Sequence, residues 1–147
     1  MLNQVLLIVH VMAAMLWFGG AAFAPRQLRE ALAMPREQAR VLTAGVLSRG
    51  GVLGISATLV LLTGVGLALI RGFGNLHPRF HTALLLTLIW WALGLFVVRP
   101  AVKKIVDIVA GDGDLAPTQA LAKRVGMMSG IMHALFTVTV VLMLWRL

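Results

Sequence analysis

Four apolar runs, each long enough to cross a bilayer, decide what this chain can become. A membrane helix needs about 20 consecutive apolar residues, and such runs fall at roughly 3–24, 46–70, 80–99 and 127–146. In a chain of 147 residues they leave only short connections, with no room for a separate soluble catalytic domain. Backbone polar groups in hydrocarbon must be satisfied internally, which admits helices or a closed barrel. The runs lack the apolar/polar alternation of barrel strands. The expected fold is all-α: one integral membrane four-helix bundle, with any chemistry inside it or at its mouths.

Charge orients the bundle. The net charge is +8, and ten of the thirteen basic residues cluster around two connections. Arg26, Arg29, Arg36, Arg40 and Arg49 surround the first, and Arg99, Lys103, Lys104, Lys123 and Arg124 the third. Only Arg71, Arg79 and Arg146 lie at the opposite ends. The positive-inside rule then makes the first and third connections cytoplasmic and puts both termini on the outer side of a bacterial-type inner (plasma) membrane. The basic excess reads as topology plus attraction to anionic lipid, not as a nucleic-acid surface. Ala22-Phe23-Ala24 resembles a signal-peptidase site, but the missing basic n-region and Pro25 directly after it argue for a retained first span. The absence of cysteine excludes disulfides, thiolate metal sites, iron–sulfur clusters and covalently attached c-type haem.

Between the spans, 25–45 reads as an Arg-rich connection broken by Pro25 and Pro35 into short interfacial helix pieces. Gly50 and Gly54, and likewise Gly126 and Gly130, form small-xxx-small faces that suit close helix packing. Alternatively, their missing side chains leave room for a flat ligand. Pro78 fits the first position of the third helix, with His77 as its cap. That helix ends at Arg99-Pro100 and continues along the membrane surface through Val102, Ile105, Val106 and Val109. Gly111-Asp112-Gly113-Asp114 lacks the remaining ligands of a calcium loop and reads as a turn.

No acid lies within any span, so an intramembrane carboxylate relay is excluded, and a cofactor must supply any redox chemistry. An ionisable side chain in hydrocarbon normally faces the bundle interior and marks function, which singles out His10 and His133. Each lies about 10 Å inside its span at 1.5 Å per residue, from opposite surfaces. Across a core of about 30 Å their heights differ by roughly 10 Å. His81 begins the third span near the outer surface. Facing histidines of a four-helix bundle are suitable haem ligands, with the nearby Met side chains as weaker axial partners. The bland alternative for His133 is a hydrogen bond to a Ser or Thr, Thr137 lying one turn away. His77 and His81, at i, i+4, are the candidates for an outer-face metal site. Trp17, Trp90 and Trp91 sit deep in their spans, whereas Trp145 is at a boundary.

His10, Trp17-Phe18-Gly19-Gly20 and Pro25-Arg26 resemble the first span of the HemJ-type protoporphyrinogen oxidases. There a His, a Trp seven residues on and an Arg nine further recur. His81, Arg99 and Lys103-Lys104 are similar to the third span of that family. Gly-rich residues and Thr63-Gly64 resemble the second span more loosely. The likeness covers about two thirds of the chain on these spacings. The fourth span departs, with no Asn-Glu-x-Pro-like element and with His133 in addition. The wider group of copper-resistance-D-like four-helix membrane proteins shares the His and Trp-Gly-Gly start.

The resemblance implies haem b held by His10 and His81, with His133 as the rival second ligand by burial. Arg79 or Arg71 would pair with the propionates if the haem edge faces outward, and Arg26 and Arg99 if it faces inward. Trp17 would line the site. The function this implies is electron transfer or oxidation of a hydrophobic donor, a porphyrinogen or a quinol. The alternatives are a non-catalytic accessory subunit of a larger membrane complex, self-association included, and an outer-face metal-handling protein.

Overall fold

The computed structural model describes residues 1–144; Trp145, Arg146 and the boundary role expected of Trp145 lie outside them. Helices α1 (Leu2–Leu32), α2 (Arg36–Ile70), α3 (Pro78–Ala110) and α4 (Ala116–Leu144) are each long and apolar enough to cross a membrane. No strand occurs among the described residues. The protein is thus an all-helical, multi-pass membrane bundle. Neighbours in the bundle are α1–α2, α2–α3, α3–α4 and α4–α1, while α1 and α3 lie across a diagonal.

The helices contain 31, 35, 33 and 29 residues. At 1.5 Å per residue they run about 44–52 Å, well beyond a hydrocarbon core of about 30 Å. All of the excess lies at the Arg-rich end, where a second core forms. Leu28 of α1, Val46 of α2, Ile105 and Val109 of α3 and Val125 of α4 are buried together there. Burial of this kind contributes about 1.5–3 kcal/mol per large side chain, enough to hold the helices together outside lipid.

This extension revises three expectations. Pro25 does not break the chain but sits inside α1. Its ring forfeits the hydrogen bond to the Ala21 carbonyl, and the buried Leu28 and Ala31 beyond it offset that loss. The true connection is only residues 33–35, with Pro35 capping α2. The stripe Val102-Ile105-Val109 likewise lies against the bundle instead of along the membrane surface. α3 reaches it without a break, through a π-helical turn at Gly94–Val98.

Arg36 and Arg40 tie the extension shut. The Arg36 guanidinium donates to the carbonyls of Gly111 and Gly113. Arg40 donates to the Val109 carbonyl at 3.2 Å and pairs with Asp112 at 3.1 Å. Cationic groups thereby satisfy the carbonyls that a helix C-terminus leaves open and complement its dipole.

Within the spans, hydroxyls bond back to carbonyls one turn earlier, as Ser56 does to Val52, Thr87 to Ala83 and Thr139 to Leu135. That satisfies them without interhelical partners. At the opposite end Gly72 has φ +78°, and it turns the chain into a short 3₁₀ segment, Phe73–Asn75. His77 caps α3 by accepting from the Arg79 N–H, with Pro78 in the first turn.

Candidate functional site

Indole rings fill the centre of the bundle. Trp17 and Trp90 are buried and stacked, with centroids 4.2 Å apart, and join the diagonal helices α1 and α3. The Trp17 ring also lies 6.1 Å from that of His133. Phe18 meets the His133 ring at 5.1 Å. Beside this aromatic column, towards the Arg-rich end, is a cavity of about 430 Å³. That lies within the ~300–1,000 Å³ of ordinary small-molecule sites. Trp17, Trp90, Trp91, Met132 and His133 line it, Gly50, Gly51 and Gly54 form part of its α2 wall, and Arg99 stands at its edge.

The glycines decide between two expectations. No atom lies within 4 Å of where a Cβ would stand on Gly50, Gly54, Gly126 or Gly130. Neither small-xxx-small pair is therefore used for close packing within the chain, and Gly50 and Gly54 instead widen the cavity. Close approach occurs elsewhere: a Cβ on Gly20 would collide with the Leu53 side chain, and one on Gly64 would sit 3.3 Å from His10 Cε1.

His133 is the polar feature of this wall. Its Nδ1 lies 2.6 Å from the Ser129 carbonyl oxygen. A carbonyl only accepts, so Nδ1 carries the proton and Nε2 of the neutral ring carries a lone pair. Nε2 is buried and has no hydrogen-bond partner. The Nδ1–carbonyl bond is the usual means of fixing the tautomer of a metal-ligating imidazole. The Thr137 hydroxyl donates to the His133 backbone carbonyl. The Trp90 N–H on the same cavity wall is also buried without a partner.

The other histidines are placed differently. His10 of α1 faces α2, its Nδ1 2.9 Å from Thr63 Oγ1. Thr63 donates its own proton to the Leu59 carbonyl, so its oxygen accepts from His10 Nδ1–H. His81 Nε2–H donates to the Phe73 carbonyl at 3.2 Å, with its ring edge-on to Phe73. Neither residue lines the cavity. His10 precedes Trp17 by seven residues on α1, about 10 Å of rise, the same axial separation from His133 as the span arithmetic gives. Among the described residues no group of three or more His, Asp or Glu is placed to hold a metal ion. His77 Nδ1 and His81 Nε2 are each engaged locally.

Of the candidate arginines, only Arg99 borders the cavity. Arg26 is exposed and bonds Glu30 at 2.7 Å, and the Arg79 guanidinium lies 5.1 Å from the Phe80 ring centroid at the other end. Sequence reasoning did not single out Trp91, although its N–H donates to Thr58 Oγ1 at 3.0 Å across α2 and α3. The only trace in the sequence was a Trp too deep for an interface anchor.

As a haem site, the donor set fits one protein ligand: an imidazole with its tautomer fixed, flat aromatic walls, a side-chain-free glycine wall and an arginine among the lining residues. No protein-family model, curated protein or solved structure matches the chain.

Proposed function

We propose that the bundle holds haem b in this cavity, with His133 Nε2 as the iron ligand and Arg99 pairing with propionate. The ring of His133, a lining residue with its tautomer fixed and its Nε2 left without a hydrogen-bond partner, carries this reading. When bound, haem supplies one-electron exchange at iron. The chain itself orients the ligand nitrogen through Ser129, excludes water with Trp17 and Trp90, and places a fixed positive charge where carboxylates are recognised.

The protein then serves electron transfer or oxidation of a hydrophobic donor, a porphyrinogen or quinol, in a bacterial-type plasma membrane. The Arg-rich end faces the cytoplasm and both termini the outer side. The likeness of His10, Trp17 and Arg26 to the HemJ-type family supports a haem scaffold, and the present assignment moves the ligand from His10 and His81 to His133.

The optical spectrum of the purified protein tests this. A Soret band and a sharp reduced α-band are expected, both lost in His133→Ala and retained in His10→Ala and His81→Ala. Loss in His10→Ala and His81→Ala with a normal His133→Ala spectrum would return the haem to the outer half of the bundle. A colourless wild type that cannot be reconstituted with haem would favour the accessory-subunit reading.

A further inference from the structure

The cavity is not closed on every side. Its α2 wall includes Ile55 and Leu59, yet these side chains are 65% and 41% exposed on the outside of the bundle. Gly50 and Gly54, also on that wall, are exposed and have open space where side chains would stand. Residues that face the cavity and the exterior at once mark an opening, and this one lies where α2 meets α3. Along Pro78–Leu93, α3 is apposed far more sparsely to α2 than to α4.

Depth fixes what lies outside. Counted from the Ile70 end of α2, a hydrocarbon core of about 30 Å takes in about 20 residues, which sets Gly50 at its edge and Gly54, Ile55 and Leu59 at the depth of acyl chains.

One polar contact spans the gap. The Trp91 N–H donates to Thr58 Oγ1 at 3.0 Å, and Thr58 donates onward to the Gly54 carbonyl at 2.9 Å. Just beyond, α3 runs through its π turn at Gly94–Val98, a geometry common at functional positions in helices. Phe96 projects from that turn, 69% exposed, with its ring edge-on to Trp91.

We propose that the cavity is loaded sideways from the bilayer, through the seam between α2 and α3, with the Trp91–Thr58 hydrogen bond as its latch. Its ligand is then a planar amphiphile that dissolves in lipid, held with its ring against the tryptophans and any carboxylate towards Arg99. This rests on the haem reading for the identity of the probe, but not for the opening itself.

The test uses the full chain in phosphatidylcholine vesicles, with haem added and Soret absorbance followed in time. Gly54→Leu places a side chain in the opening, and Thr58→Val removes the acceptor of the latch. Loading at least tenfold slower in Gly54→Leu and several-fold faster in Thr58→Val is the expected result, each rate being normalised to that protein's own final Soret absorbance. Equal rates in all three proteins would overturn the lateral route while leaving haem binding intact.

A second arm needs no haem. In vesicles of acyl-chain-brominated lipid, wild-type tryptophan emission should be quenched more strongly than that of Gly54→Leu. Equal quenching overturns the opening. Absence of any Soret band in the wild type overturns the haem reading alone, and the quenching result then decides the seam.

Discussion

His10 and His133 each give the Nδ1 proton to an oxygen that has no proton to return: Thr63 Oγ1, already committed to Leu59, and the Ser129 carbonyl. A hydrogen bond removed from one side only leaves a polar group unsatisfied, which costs about 1–3 kcal/mol. Thr63→Val should lower unfolding stability in lipid by that amount, whereas Thr63→Ser should stay close to wild type. Both are measured by thermal or denaturant unfolding. His10 was conspicuous in the sequence as an ionisable group in hydrocarbon, but its partner was not. Thr63 lies 53 residues away, and spans apolar on nearly every face do not reveal how each helix is rotated. For the same reason the sequence left His81 and His133 as rivals. Only the packing separates a ring held by the Phe73 loop from one on a cavity wall.

Along the helices, periodicity was legible and its destination was not. Val102, Ile105 and Val109 make an apolar stripe that fits a membrane surface as well as a partner helix, because both bury one face. The partners turn out to be the other helices of the bundle, and Leu28 of α1 is among them because α1 continues through Pro25. Ile105→Ala is expected to cost about 2–5 kcal/mol, as for other large-to-small core changes. The loss should appear as faster proteolysis at residues 33–35 and 111–115, with the span helicity retained. Pro25→Ala should act in the opposite sense, restoring a backbone bond to Ala21 and raising stability. Its effect is read from the same proteolysis rates.

At the scale of the whole molecule, four runs of membrane length specified four membrane-length helices, and hydropathy alone sufficed for that. The basic clusters propose which end faces the cytoplasm, and the cysteine-free sequence makes the test clean. Single cysteines at Gln38 and Asp112 should react with an impermeant maleimide from one side of oriented vesicles, and one at Asn75 from the other. Reaction of all three from the same side would overturn the four-span topology. The aromatic column has an optical consequence. Three of the four tryptophans line the cavity, so most of the protein's ultraviolet emission originates beside whatever occupies it. An absorbing ring in that space would take up the excitation by dipole transfer, and the glow of the empty protein would dim as each site filled. The bundle carries its own occupancy gauge, readable without any label.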